Sequence, residues 1–386
     1  MIPLCIPNLC GREAEYLAEC VSSNFVSSVG PFVSRFETMV AQAAGAAGAV
    51  ATSAGTTALH AALLAVDVGP GDLVVCPSMT FIASANAIAH AGATPWLFDV
   101  DPQTWTLDPG LLAREIEANT TRDGDRLVHL PTGRRVAAIL PVFTLGIPCD
   151  MDAILAVARP LGLPVVVDAA AALGAEYKGR ACGDVGADLA MISFNGNKTV
   201  TCGGGGAVVG RDRALLDRVR HLTTTARVGA DYDHDMVGYN YRMTNLQAAV
   251  GVAQMEMLDA FVEAKRRIAA AYEAAFAGLP GVGAFPEPEW ARSAAWFSGL
   301  VLEGDAGASR AAALRKHLRE KGIDARPFWK PMHLQIPFRA SPATAMPVCE
   351  DLWPRIVTLP CSTHLGEADR DYVSTAVREW FAVDAA

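Results

Sequence analysis

Short apolar runs alternate with helical patterns along the first half of the chain. Runs of four to seven mostly apolar residues predict strands at 49–52, 73–76, 94–99, 136–142, 165–168, 189–194 and 206–209. Amphipathic or alanine-rich segments between them predict helices at 56–66, 82–91, 109–117 and 151–161. Strands separated by helices of this length form βαβ units, so we predict an α/β fold with a mainly parallel central sheet. The more polar stretch 122–135 predicts a surface loop or hairpin.

The pattern changes after Thr244. Apolar residues recur at steps of three and four from Leu246 to Phe276, which predicts one long amphipathic helix or two joined helices. The segments that follow predict a strand at 296–302, a charged helix at 308–321, a loop rich in proline and aromatic residues at 326–338 and a final helix at 367–380. We therefore predict a large domain, 1–255, and a smaller α+β domain, 256–386, with the boundary inside the long helical segment.

Composition and charge exclude several classes of protein. With 51% hydrophobic and 19% charged residues, the 386-residue chain is too apolar to be disordered. A net charge of −9 disfavours binding to nucleic acid, and an anionic small molecule would need a local basic pocket. The beginning of the chain is not a signal peptide, and no apolar run is long enough to span a membrane. Nine scattered cysteines without zinc spacing predict no metal site and a cytoplasmic location.

Two local features suit a phosphorylated, planar ligand. At Gly55 and Thr56 a strand ends and a helix begins with hydroxyl residues, and such a helix N-terminus binds phosphate well. An ordinary N-cap is the alternative. Phe81 follows another strand and turn, where its ring could stack on a planar ligand, although a lone Phe is more often a core residue.

Two further features bring reactive groups to strand ends. Asp168 ends an apolar strand, where a carboxylate can pair with a protonated pyridine nitrogen or simply cap the next helix. Lys198 follows a strand within a loop of small residues, and four glycines come directly after that loop. A desolvated lysine there could form a Schiff base. These features are the parts that hold pyridoxal 5′-phosphate (PLP): a phosphate-binding site, a stacking ring, a carboxylate and an amine.

Six motifs carry a resemblance that covers nearly the whole chain: residues 24–30, 53–56, 80–87, 193–198, 238–245 and 331–335. They are similar to those of the DegT/DnrJ/EryC1/StrS family of PLP-dependent sugar aminotransferases, which have the aspartate-aminotransferase-like type I fold. The wording Asn195-Gly196-Asn197-Lys198 most resembles the branch that aminates nucleotide-linked 4-keto-6-deoxy-hexoses, of the bacillosamine, legionaminic acid and perosamine types.

The resemblance implies a role for each matching residue. Lys198 matches the Schiff-base lysine and Asp168 the partner of the pyridinium nitrogen. The other cofactor contacts implied are Gly55, Thr56 and Ser193 at the phosphate, Phe81 on the ring, and Asn245 reaching the phosphate from the other subunit of a homodimer with shared active sites. Contacts to the nucleotide sugar are implied for Arg227, His234, Tyr239, Arg326 and His333. The alternatives are that Tyr239 is a packing residue and that Arg227 and His234 are solvated surface residues.

One position departs from the family pattern. The family carries Gln, Glu or His at the position of Ala171, where that side chain hydrogen-bonds the 3′-oxygen of the cofactor. Alanine cannot make this bond, so water or another side chain replaces it, or PLP binds more weakly. The presence of Lys198, where dehydratase relatives carry His, argues against dehydration.

The resemblance predicts the reaction. Glutamate would load the cofactor as pyridoxamine phosphate, which would aminate the C4 ketone of a nucleotide-linked, N-acetylated 4-keto-6-deoxy-hexose for a surface glycan. Amination at C3 and a catalytically impaired binding or regulatory protein are the alternatives.

Overall fold

The computed structural model describes residues 1–384. In its first 255 residues the strands are β1 Gly48–Thr52, β2 Leu73–Pro77, β3 Thr94–Phe98, β4 Thr120–Asp123, β5 Arg126–His129, β6 Arg134–Ile139, β7 Val166–Asp168, β8 Glu176–Tyr177, β9 Arg180–Ala181, β10 Leu189–Ser193, β11 Gly206–Gly210, β12 Arg227–Val228 and β13 Asp233–His234. The helices of this part are α1 Glu13–Ser22, α2 Pro31–Ala44, α3 Gly55–Ala65, α4 Ile82–His90, α5 Pro109–Asn119, α6 Met151–Leu161, α7 Arg213–Thr223 and α8 Asn245–Met255. Each predicted strand and helix of this half is present, with ends shifted by a few residues.

The central sheet has the order β3-β2-β6-β7-β10-β11-β1. Neighbouring strands from β3 to β10 run parallel, with β6 joined to β7 by two parallel bridges, and β11 runs antiparallel to both β10 and β1. The prediction of a mainly parallel sheet is confirmed. Parallel strands place their carboxyl ends at one edge, which is where α/β proteins bind ligands.

Both faces of the sheet are buried, which explains the continuous apolar runs in the sequence. In β11, Ala207 and Val209 face the core built with α2 and α8, whereas Val208 faces the core built with α3 and α7. The stretch predicted as a loop or hairpin forms the hairpin of β4 and β5, and β5 pairs with β6.

The long helical segment is two helices, α8 and α9 Leu258–Phe276. The remaining elements are β14 Val282–Gly283, β15 Ala291–Arg292, β16 Ser298–Leu302, α10 Gly307–Glu320, β17 Arg326–Pro327, α11 Pro347–Leu352, β18 Ile356–Leu359 and α12 Glu367–Asp384. A small sheet of order β14-β16-β18-β17 organises this part.

The beginning of the chain also packs against this second part. Ile2 bridges to Ile323, and the Cys361 N–H donates to the Leu4 carbonyl at 2.7 Å. The predicted domain boundary after residue 255 falls at the junction of α8 and α9. This boundary stays a prediction, and the first few residues are an exception to it because they contact the second part. Within residues 1–384, no helix is both long and apolar enough to cross a bilayer.

Candidate active site

A cavity of about 620 Å³ opens at the carboxyl edge of the central sheet. The ends of β7 and β10, the start of α3 and the segment after β17 meet there. Its lining includes seven residues that the sequence predicted, namely Gly55, Thr56, Phe81, Asp168, Ser193, Lys198 and Arg326. The structure therefore brings together most of the residues expected to hold the cofactor.

Asp168 lies at the end of β7 and is only 5% exposed. Its Oδ2 accepts a hydrogen bond from the Ser84 hydroxyl at 2.6 Å, and its Oδ1 accepts one from the Ala170 N–H at 3.0 Å. Burial raises the pKa of the Asp168 carboxyl, while these two donors and the nearby Lys198 oppose that rise. The carboxylate is therefore fixed in orientation and stands ready for a cationic partner.

Lys198 lies at the cavity wall. Its backbone N–H donates a hydrogen bond to the Asn195 carbonyl, which closes a turn. Burial lowers the pKa of Lys198 to about 8, with Lys265 adding to this and Asp168 opposing it. The Nζ atom is 3.6 Å from the centroid of the Trp296 ring, and Trp296 Nε1 donates to the Asn197 carbonyl at 2.7 Å. An amine with this pKa is partly neutral near pH 7–8, which a nucleophile requires.

The start of α3 forms the polar end of the cavity. A Cβ added at Gly55 would lie 3.0 Å from Ser193 Cβ and Oγ, and one added at Gly206 would lie 2.5 Å from the Ala54 carbonyl oxygen. Glycine at these two positions thus permits the close contact between the helix start and strands β10 and β11. The first-turn N–H groups and the hydroxyls of Thr56 and Ser193 meet at a helix N-terminus, an arrangement suited to phosphate.

Aromatic side chains form another wall. Phe81 is 53% exposed in this chain and lies 5.6 Å, centroid to centroid, from Trp329. Trp329 stacks on Phe328 at 4.6 Å and lies 5.7 Å from Trp296. Trp296 and Trp329 were not predicted from the sequence, where their only signal was their place in a predicted strand and in an aromatic loop. Ser84 was not predicted either, although it lies within the 80–87 motif.

The predicted substrate contacts separate into two groups. Arg326 lines the cavity, where it pairs with Asp324 at 2.8 Å. His333 lies outside the lining of this cavity, between the Ser78 hydroxyl at 2.7 Å and the Glu350 carboxylate at 3.1 Å.

Arg227 and His234 are exposed cross-strand partners on the hairpin of β12 and β13. Tyr239 stacks on Tyr241 with a centroid distance of 4.9 Å, as its packing alternative predicted. Arg227, His234 and Tyr239 are not among the cavity-lining residues within the described part of the chain. Within one chain, Arg227 and His234 therefore do not join Arg326 in a local basic pocket at this cavity.

Asn245 is buried and holds other parts of its own chain. Its Oδ1 accepts the Phe32 N–H at 3.0 Å, and its Nδ2 donates to the Phe25 carbonyl at 2.8 Å. Within this chain the amide thus fixes the start of α2, and the contact to a partner's cofactor stays a prediction that this geometry does not favour.

Three features of the cavity fit PLP: the polar end, the Lys198 amine and the Asp168 carboxylate. Gly55, Thr56 and Ser193 suit the phosphate, Asp168 suits the ring nitrogen and Lys198 suits the carbonyl carbon. Ala171 also lines the cavity and offers no donor there, as the sequence predicted. Among the described residues, no group of His, Cys, Asp and Glu side chains is arranged to hold a metal ion.

Comparisons with known proteins agree with this geometry. The model of the DegT/DnrJ/EryC1/StrS aminotransferase family matches residues 7–378. The chain is 38% identical to the putative pyridoxal phosphate-dependent aminotransferase EpsN of Bacillus subtilis, over 95% of this chain and 92% of the relative. It is 37% identical to the GDP-perosamine synthase of Escherichia coli O157:H7, over 99% of both chains.

A solved structure shows the same fold. The crystal structure of S. venezuelae DesV superimposes with a TM-score of 0.85 at 33% identity, covering 96% of this chain and 94% of that one. The type I fold and the PLP dependence that the sequence predicted are thereby confirmed. From its sequence, its fold and its cavity, the chain belongs to the DegT/DnrJ/EryC1/StrS aminotransferase family.

Proposed function

We propose that this aminotransferase moves an amino group from glutamate to the C4 ketone of a nucleotide-linked 4-keto-6-deoxy-hexose. The observation that carries the proposal is the desolvated Lys198 amine in a cavity that also holds the buried Asp168 carboxylate. The nucleotide sugar is supported by a relative of nearly equal length that is named GDP-perosamine synthase.

The protein's own groups prepare the site for this reaction. When bound, PLP supplies a protonated ring that takes up the electron pair left by a departing C–H proton. Asp168 would stabilise the positive ring nitrogen, because opposite charges attract more strongly where water is excluded. The helix start at Gly55, with the hydroxyls of Thr56 and Ser193, would hold the phosphate.

Lys198 carries the proton during the transfer. A pKa of about 8 lets its Nζ atom take up and release a proton near neutral pH, as an acid–base group must. The Trp296 ring beside this atom limits where the amine can move and shields it from water. Phe81 and Trp329 extend the apolar wall, which suits the flat faces of a ring system.

Arg326 at the cavity rim suits the diphosphate of the substrate. Its guanidinium pairs with Asp324 in this chain and is 63% exposed, so a phosphate can reach it without loss of buried packing. Among the described residues, Arg326 is the only arginine that lines the cavity, and Lys198 is reserved for the cofactor. An acidic protein that binds a diphosphate therefore has reason to draw further cations from a partner subunit.

A homodimer forms part of the proposal. Tyr232 and Val237, on the segment that carries Arg227 and His234, are 84% and 82% exposed. Large apolar side chains exposed in this way are typical of a surface that a partner covers. In the homodimer, Arg227 and His234 would add positive charge to the partner's site.

The test is a panel of UDP-, GDP- and TDP-linked 4-keto-6-deoxy-hexoses, with and without an N-acetyl group, incubated with enzyme, PLP and glutamate. We expect one aminated product by mass spectrometry, with nitrogen at C4 by NMR, and loss of turnover in Lys198→Ala. Lys316→Ala, on the exposed face of α10, is the matched control. Full transaminase activity in Lys198→Ala would contradict the proposal, and nitrogen at C3 would select the alternative regiochemistry.

Ala171 supports a second candidate, a homologue that binds nucleotide sugars without turning them over. That protein would bind PLP yet give no conversion to pyridoxamine phosphate with glutamate. A single-turnover spectrum with glutamate alone separates the two functions.

A further inference from the structure

Lys265 is a buried lysine without a carboxylate partner among the described residues. It lies on α9 with no exposed surface. Its Nζ donates to the carbonyls of Cys361 at 2.7 Å and Trp296 at 2.9 Å, and it contacts the sulfurs of Cys5 at 3.3 Å and Cys361 at 3.6 Å. A buried ammonium needs a compensating negative charge, and a thiolate is the group in contact that can supply one.

The two cysteines lie on neighbouring segments of backbone. The Cys361 N–H bonds the Leu4 carbonyl at 2.7 Å, and the Ile6 N–H bonds the Ser362 hydroxyl at 3.1 Å. This pairing places residues 5 and 361 side by side, with Lys265 against both sulfurs. The hydrogen bond from Cys361, together with the positive charge of Lys265, lowers the pKa of Cys5 to about 6. The same hydrogen bond and burial raise the pKa of Cys361, and the charge of Lys265 opposes that rise.

Cys5 also belongs to the wall of the cofactor cavity. It lines the same space as Lys198, and its sulfur lies 3.3 Å from the carbonyl oxygen of Asn197, the residue before that lysine. Small molecules that enter the cavity can therefore reach this sulfur, whereas Cys361 is fully buried behind it.

We propose that Cys5 and Cys361 form a covalent modification site, at which a hydroperoxide converts the two thiols to a disulfide beside the cofactor cavity. The Cys5 thiolate attacks one peroxide oxygen, the O–O bond breaks, and the departing oxygen takes a proton to leave as water or an alcohol. The Cys361 sulfur then attacks the resulting sulfenic acid, the S–O bond breaks, and water leaves with the thiol proton. The two thiols lose two electrons and the peroxide gains them.

Lys265 has a defined part in this chemistry. Its positive charge favours the thiolate, which is the reactive form, and it holds both sulfurs within reach of each other. The oxidation of these two thiols is independent of the sugar substrate, so it is measured on the thiols and not by turnover.

The test treats the PLP-loaded enzyme with hydrogen peroxide, blocks free thiols with iodoacetamide and maps peptides without reduction. We expect a cross-linked peptide that joins residues 5 and 361, a mass loss of about 2 Da relative to the two thiols, and reversal by dithiothreitol. Cys5→Ser and Cys361→Ser should each abolish the cross-link, while Cys10→Ser, at an exposed cysteine, should leave it unchanged.

A second measurement follows the alkylation rate of Cys5 with pH. We expect a midpoint near pH 6 in the wild type and a shift toward about 8.5, the ordinary thiol value, in Lys265→Met. If Cys5 and Cys361 both remain alkylatable at a peroxide dose that oxidises Cys10, the proposal is wrong. A wild-type midpoint near 8.5 would overturn the role of Lys265, even if the Lys265→Met protein fails to fold.

Discussion

Ser84 donates a 2.6 Å hydrogen bond to the Oδ2 atom of Asp168, and both side chains are buried. Behind this pair, the Thr80 hydroxyl lies 2.7 Å from Ser84 Oγ. The Asp168 carboxylate therefore receives a donor on one oxygen from a side chain and on the other from the Ala170 N–H. Hydrogen bonds to the charged form favour ionisation, which opposes the effect of burial.

Removal of the Ser84 hydroxyl should weaken cofactor binding. In Ser84→Ala, the Asp168 pKa should rise further, because one hydrogen-bond donor fewer would oppose the rise that burial causes. We expect about 10- to 150-fold weaker PLP binding, since a hydrogen bond to a charged group contributes about 1.5–3 kcal/mol. Equilibrium titration of the apoenzyme with PLP measures this change.

Ser84→Thr provides the matched control, because it keeps the hydroxyl and should bind PLP within about 3-fold of the wild type, a difference below 1 kcal/mol. Equal weakening in both variants would show that the position matters for packing rather than for its hydrogen bond. The absorbance of the bound cofactor against pH should shift in the alanine variant alone.

Asp168 should reduce the stability of the protein when PLP is absent. Burial raises its folded-state pKa above the unfolded value of about 3.9. Between these two pKa values the folded form keeps a proton that the unfolded form has lost. Stability from this group is therefore present at low pH and is lost as pH rises through the folded-state pKa. Asp168→Asn removes the ionisation, and its amide can still bond Ser84 and Ala170.

We therefore expect apo Asp168→Asn to be at least as stable as the wild type at pH 7 in urea unfolding, with a difference that shrinks toward pH 4. Turnover of the PLP-loaded variant should fall by about 100-fold or more, the scale for loss of an electrostatic group in a catalytic site. An apo variant that is less stable than the wild type at pH 7 would contradict this account of the buried carboxylate.

Local sequence was enough to predict the strands and helices of the first half, because strands buried on both faces, such as β7, are unbroken apolar runs. Local sequence also located Asp168, a charged residue at the end of such a run, and Lys198, a charged residue in the loop of small residues that follows another. The order of the sheet and the antiparallel direction of β11 depend on contacts between distant segments, and single runs do not encode them.

Residues that reach the site from far along the chain were not predictable in this way. Trp296 lies almost a hundred residues after Lys198, and its contact to the amine exists only once the second part of the chain packs on the first. The same holds for Cys5, whose neighbours Lys265 and Cys361 come from the opposite end of the sequence. In the proposed homodimer, Arg227 and His234 would reach the site from a second chain, and no pattern within one sequence locates such a contact.

Replacement of Ala171 tests the one departure from the family pattern. The cavity beside this residue is large enough for a longer side chain, and an amide there could donate to the 3′-oxygen of PLP. We expect Ala171→Gln to tighten PLP binding by about 3- to 10-fold, the value of one net hydrogen bond. Ala171→Leu is similar in size without a donor, so it should not tighten binding. Equal affinities in the glutamine variant and the wild type would show that the wild type already satisfies this oxygen in another way.

Gly251 lies in the contact between α8 and α2. A Cβ at this position would lie 2.5 Å from Cys202 Sγ and 2.6 Å from a ring carbon of Phe36. Gly251→Ala should therefore destabilise the protein by about 1–3 kcal/mol through overpacking, a loss larger than the gain of up to about 1 kcal/mol in helix propensity.

Gly69→Ala is the control, because a Cβ there meets nothing within 4 Å and the stability of this variant should change by less than about 0.5 kcal/mol. Urea unfolding of the two apo variants measures both values, and a Gly251→Ala protein as stable as the control would mean that α2 and α8 pack less closely than their glycine contact indicates.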